Sequence, residues 1–240
     1  MTLSRRRISA VMRKELREYR HNGNVIYAMA ILPAIFLVQP LIQIFTLKSV
    51  AAVGLRHEHS LLYLLAIPVL VPAALAAYSV VGERLQGTLE PILTTPVRRE
   101  ELLLGKALAA FAPTVVIAYA VFGVFIAIVE IFAHPGVAAA LIQGPSLVAQ
   151  VIFTPLLAAW SIWVGIAISA RSRDPRTAAQ LAILASLPTV ALIVLTAFNI
   201  IPATLRVAVL LGAALVVLDR LGWRVASALF DREKLITGTG

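Results

Sequence analysis

Six stretches of the chain stay apolar long enough to cross a bilayer as helices. They lie at 25–47, 60–81, 107–132, 147–169, 178–198 and 199–219, each close to the roughly 20 residues that a spanning helix needs. Polar or turn-forming residues separate them. Between the last two the break is only "FNIIPATLR", where Asn199 and Pro202 signal a tight turn. The sixth stretch carries Arg206 near one end, where a long side chain can snorkel to the interface. Asp219 and Arg220 mark its other end. The pattern predicts an all-α integral membrane protein with six transmembrane helices, forming one domain over 1–240 with no soluble linker or internal repeat.

Ahead of the first span the periodicity changes. In "RRRISAVMRKELREYRHNG" the apolar residues Ile8, Val11, Met12, Leu16 and Tyr19 recur at helical spacing among basic ones. A charged helix with one apolar stripe suits the headgroup boundary. Residues 1–24 are therefore read as an amphipathic interfacial helix, with Gly23 and Asn24 allowing the turn into the membrane.

Composition supports the membrane reading. Hydrophobic residues make up 60% of the chain and charged ones 14%, with a mean hydropathy of +0.91. A soluble domain carries about 25% charged residues, so polar surface is too scarce to cover a globule. The net charge of +9 would suggest nucleic acid in a soluble protein. Here the basic residues sit beside apolar spans, which points to orientation and lipid contact, with no nucleic acid partner. With six spans and both termini cytoplasmic, all of the 21 Lys and Arg except Lys48, Arg56 and Arg206 fall on the cytoplasmic side. That asymmetry places the 82–106 segment inside, and the plasma (inner) membrane is the expected location. The absence of Cys excludes disulfides and thiol chemistry. A charged stretch before a first span of this length does not read as a cleaved signal peptide.

The 82–106 segment, "GERLQGTLEPILTTPVRREELLLGK", is the main polar interruption. Helix–helix connections usually take two to eight residues, so its length asks for a further role. Thr95-Pro96 reads as an N-cap and first helical residue, opening a helix that continues into the third span. Upstream, Leu89, Ile92 and Leu93 stand beside Glu83, Arg84 and Glu90 on a short element bounded by Gly87 and Pro91. Mixed charge with apolar residues suits docking onto another protein.

Glu83, Arg84, Gly87, Thr88, Leu89, Glu90, Thr95, Pro96, Arg99, Glu101, Leu102, Leu103, Gly105 and Lys106 together resemble the cytoplasmic segment of ABC-2 type exporter permeases. The tail "ALFDREKLI" and the six-span layout are similar to that family as well. The resemblance implies a permease dimer, from two identical or two related chains, each half served by a separate ATPase subunit that binds ATP and Mg. It further implies that 82–106 is the coupling segment, with Glu83, Arg84, Gly87, Thr88, Leu89, Glu90, Thr95 and Pro96 contacting the ATPase. Glu83 and Glu90 would pair with basic residues of that subunit or act as internal struts toward Arg84 and the N-terminal helix. Export direction follows from the resemblance alone.

The chain has no phosphate-binding loop of its own: Gly105-Lys106 is followed by Ala107, and Glu100 stands where the first Gly is required. It is therefore not an enzyme by itself. His57 and His59, in "RHEHS", read as a solvated loop, and no metal site or catalytic constellation is expected. A secondary transporter would need ionisable groups deep in its spans, and the middle of every span lacks them. A non-transporting scaffold would leave the insert unexplained. Gln39, Gln43, Tyr78, Tyr119 and Ser161 are candidates for a translocation path, or for hydrogen bonds between helices. An uncharged interior favours a hydrophobic or amphipathic cargo, such as a drug or lipid.

Overall fold

The computed structural model describes residues 3–46, 60–85, 87 and 97–229. Among them every regular element is helical. In chain order these are α1 (Arg5–His21), α2 (Gly23–Thr46), a 3₁₀ segment (Ser60–Ala66), α3 (Ile67–Tyr78), α4 (Val81–Leu85), α5 (Arg99–Phe132), α6 (Pro135–Leu141), α7 (Gly144–Arg171), α8 (Pro175–Ala197) and α9 (Leu205–Leu229).

Four stretches of the described residues are long and apolar enough to cross a membrane: Leu61–Leu85, Arg99–Phe132, Gly144–Arg171 and Pro175–Ala197. A fifth arises if α1 and α2 are joined across an 87° bend. That bend, at Asn22, is where the charged helix ends and the apolar one begins. The α1 stripe does not face lipid, as expected from sequence, but protein. Tyr19 is buried, and Val11, Met12 and Leu16 pack against the core.

The helix expected at 199–219 begins later, and α9 is not among the described stretches that are long and apolar enough to cross a membrane. Helix α8 ends with Asn199 in the left-handed region (φ 56°). The Ile200 amide returns to the Leu195 carbonyl (2.9 Å) and that of Asn199 to Thr196 (3.0 Å), closing the last turn. A new helix cannot start there. It starts only after Thr204, whose hydroxyl accepts from the Val207 amide (3.3 Å). Helix α9 then runs on through Asp219, Arg220 and Arg224 to Leu229.

The stretch Leu61–Leu85 is the centre of the bundle, with 94% of its apolar window buried by other helices. Small residues allow this. A Cβ on Gly165 of α7 would come within 2.7 Å of Ala76 Cβ and 3.0 Å of the Ala73 carbonyl. On another face Ala73, Ala77 and Val81 pack against Ala178 and Ala182 of α8. Close backbone approach replaces side-chain bulk here, the usual solution inside a bilayer. Helices α5 and α8 keep apolar residues such as Val116, Val124, Leu184 and Leu187 exposed, as lipid-facing helices do.

Candidate functional site

Two features shape the end of the bundle where α1, α4 and the start of α5 meet: a broken helix and a buried charge. The central stretch does not run straight from α3 into α4; Ser79 and Val80 form a turn between them. The break is held from outside. The amides of Val80 and Val81 both donate to Ser169 Oγ on α7, at 3.1 Å each. The Ser79 carbonyl accepts from Lys106 Nζ at 2.7 Å.

Lys106 itself is buried, with a side chain that exposes no surface. Besides Ser79 it reaches Glu15 Oε1 on α1 at 2.7 Å and Glu83 Oε2 on α4 at 2.8 Å. Lys14 completes the group from the solvent side. Its ammonium donates to Glu83 Oε1 at 2.5 Å and lies 2.9 Å from Glu18 Oε1 and 3.5 Å from Glu15 Oε1. Two ammonium groups thus meet the buried Glu15 and Glu83 carboxylates, so the desolvation of each charge is offset by direct partners. Burial alone would lower the Lys14 pKa, but the Glu15 charge, Glu83 and Glu18 outweigh it, and the net shift is upward. Burial pushes the Glu15 carboxyl up, against the opposing pull of Lys106.

A second clamp ties the start of α1 to the start of α5. Glu101 accepts from the Ser4 amide at Oε1 (2.8 Å) and from the Arg98 amide at Oε2 (3.0 Å), and the Arg7 guanidinium donates to the same Oε2 at 3.4 Å. One carboxylate therefore caps two helix N-termini, where its negative charge is favoured. This geometry also corrects the expected helix start. Helix α5 opens at Arg99, not Pro96: Val97 and Arg98 are non-helical, and Glu101 occupies the third position of the first turn. Between the clamps, Gly105 lets α1 approach. A Cβ there would lie 2.6 Å from Val11 Cβ and 3.2 Å from the Ile8 carbonyl.

Of the residues picked from sequence as ATPase contacts, Glu83 is buried within the ion group. Arg84 donates to the Ser172 (3.1 Å) and Ala170 (3.2 Å) carbonyls, closing the C-terminus of α7. Gly87 is exposed with φ 68°, a left-handed conformation that suits glycine. Thr88, Leu89, Glu90, Thr95 and Pro96 lie outside the described residues, as do His57 and His59. The side chains of Gln39 and Gln43 are also outside them. Tyr78 is half-buried beside the break, and the Tyr119 hydroxyl donates to the Val151 carbonyl (2.9 Å). Ser161 is buried with no partner for its hydroxyl. It shares the buried face of α7 with Gln150 and Thr154, whose side-chain polar atoms also lack partners.

The family model described as ABC-2 family transporter protein matches residues 9–220, from α1 through most of α9. The chain belongs to the ABC-2 transporter family. A search of curated proteins finds no match. This ABC-2 chain is an integral membrane protein of the permease type, the kind of subunit that carries transport and not ATP hydrolysis. Membership in the family implies association with an ABC ATPase subunit and with the membrane.

Sequence reasoning on this ABC-2 protein missed Glu15, Ser79 and Ser169. The Glu15 signal was available. Position 15 falls between Val11, Met12 and Tyr19 on the apolar face of α1, and a carboxylate on such a face asks for a buried cation. The apolar run that follows Lys106 pointed to that cation.

Proposed function

We propose that the chain is the membrane-spanning permease of an ATP-driven exporter, worked by a separate ATPase subunit that binds ATP and Mg. The observation that carries the coupling reading is the ion group of Lys106, Glu15, Glu83 and Lys14. It joins α1, the end of the central helix and the start of α5 into one unit on either side of residues 86–96. A displacement of that segment by the ATPase would reach the central helix through Glu83 and its broken turn, without relying on soft loop backbone. In this reading Gly87, Thr88, Leu89, Glu90, Thr95 and Pro96 meet the ATPase, while Glu83 and Arg84 transmit the load inward.

The permease works as a dimer, from two copies or two related chains, in the inner membrane, with both termini and the 82–106 segment cytoplasmic and six spans in each chain. The path accepts a hydrophobic or amphipathic cargo, drug-like or lipid-like. Gln150, Thr154 and Ser161 on α7, and Thr114 on α5, are buried without partners. Unpaired polar groups are costly in a bilayer interior, so a state in which these meet cargo or water is favoured by their chemistry. Gln39, Gln43, Tyr78 and Tyr119 are further path candidates.

The test is co-purification with the ATPase and measurement of its stimulated turnover. Glu90→Arg should abolish stimulation and export while the permease still inserts and purifies normally. Unchanged complex formation and export in that variant would overturn the coupling role.

A further inference from the structure

Helices α7 and α9 leave an open groove of about 510 Å³ between them, within the size range of small-molecule sites. Its floor is fixed by a close approach. A Cβ on Gly222 would lie 2.8 Å from Trp163 Cβ, and Trp163 meets Trp223 edge-to-face with centroids 5.4 Å apart. Asp219, Arg220 and Arg224 line the same groove.

The depth of the groove is informative. Trp163 lies about 12 Å along the α7 axis from Arg171, the end of the helix that meets the basic "RSRDPR" loop. Counted from Leu205, Asp219 is reached after only about 21 Å of helix, less than the roughly 30 Å of a hydrocarbon core. Asp219 therefore stands about 9 Å short of the inner edge of the core, while Arg220 and Arg224 lie on its headgroup side and reach the boundary by snorkelling, where Trp is also at home. Arg220 and Arg224 are one turn apart on an exposed face, and two like charges at that spacing repel. Among the described residues no carboxylate pairs with either. Asp219 Oδ1 is buried, and no protein group donates to it. The groove thus offers two guanidinium groups for an anion and, beside them, one carboxylate awaiting a cationic donor, over an aromatic floor.

We propose that this groove binds the headgroup of a zwitterionic phospholipid, its phosphate on Arg220 and Arg224 and its ammonium on Asp219. Guanidinium forks match phosphate oxygens. A purely anionic headgroup would satisfy the arginines but set negative charge against Asp219, so the acid is the element that selects. The site is independent of ATP coupling and of export.

The experiment is native mass spectrometry of the full chain in detergent, incubated with phosphatidylethanolamine or phosphatidylglycerol of identical acyl chains. The expected result is a one-to-one phosphatidylethanolamine adduct that outlasts the phosphatidylglycerol one. Arg220→Gln with Arg224→Gln should weaken both adducts by about tenfold or more, as loss of charge-assisted bonds to phosphate requires. Asp219→Asn should reverse the order of the two lipids. An adduct undiminished in the double arginine variant, or a lipid order unchanged by Asp219→Asn, would overturn the proposal. So would a cross-link between two copies through Arg220→Cys that forms equally with and without lipid, since a second chain would then occupy the groove. Both arginines are exposed, so their replacement reads the site even where the Asp219 variant does not fold.

Discussion

Lys106, at the end of the cytoplasmic motif, donates to Glu15 on the N-terminal helix across 2.7 Å, in a place where the lysine has no exposed surface. The two residues are separated by 91 positions in the chain. Their pairing makes α1 part of the same mechanical unit as α4 and α5, because Lys106 also holds Glu83 and the Ser79 carbonyl.

Removing one partner should therefore cost more than removing both. Lys106→Met leaves Glu15 and Glu83 buried with Lys14 as their remaining cation, a loss of about 3–5 kcal/mol. Adding Glu15→Leu removes one stranded charge and should recover part of that. A double-mutant cycle on thermal or denaturant unfolding in detergent measures the coupling. Strictly additive costs would mean that the pair does not act as a unit.

The close contact at Gly105 makes a sharper prediction. Gly105→Ala places a methyl 2.6 Å from Val11 Cβ, so α1 must move away from α5, at a cost of about 1–3 kcal/mol. Val11→Ala should not rescue it, because the clash involves the Cβ that alanine retains. Val11→Gly should rescue the spacing, at its own cost in helix propensity. Protease cleavage within α1 would follow the series, rising in Gly105→Ala and in its combination with Val11→Ala, and falling back with Val11→Gly.

Ser169→Ala removes the acceptor shared by the Val80 and Val81 amides. Two buried N–H groups are then left without a partner at the break in the central helix, each costing about 1–3 kcal/mol. Hydrogen exchange at Val80 and Val81 should speed up, while amides in the middle of α8 stay protected. Equal loosening in both places would mean a general loss of stability and no local role for the hydroxyl.

The parts legible in the sequence were those governed by local rules. The apolar runs located the spans that became Leu61–Leu85, Arg99–Phe132, Gly144–Arg171 and Pro175–Ala197, and the stripe from Ile8 to Tyr19 located α1. The start of α8, set at 178 from hydropathy, lies at Asp174-Pro175, a local cap that hydropathy passes over, with the Asp174 carboxylate accepting from the Thr177 amide at 2.8 Å. The ion group was legible only in part: Glu83 reads as a strut toward the N-terminal helix and Glu15 interrupts the apolar face of α1, but their meeting at Lys106 joins three elements whose contacts are set by packing. The start of α9 was missed for a different reason. Hydropathy continues smoothly through Ile200, Ile201 and Pro202, whereas the helix obeys the left-handed Asn199 and the Thr204 cap. Composition sees burial; it does not see backbone closure.

That displaced helix sets the last test, the crossing of α9. Its 25 residues give about 37 Å of helix, of which the stretch from Leu205 to Arg224 takes about 28 Å, enough to span the core if Arg206 snorkels outward, Arg220 snorkels inward and Arg224 sits at the inner boundary. On that topology Ile200→Cys, in the turn between α8 and α9, should react with an impermeant thiol reagent added to intact cells, whereas Ser227→Cys and Glu90→Cys should react only after the cells are opened. Because the natural chain has no Cys, each signal reports a single position. Labelling of Ser227→Cys from outside would mean that α9 does not return to the cytoplasm. External labelling of Glu90→Cys would be more damaging, since a segment facing outward cannot be worked by a cytoplasmic ATPase.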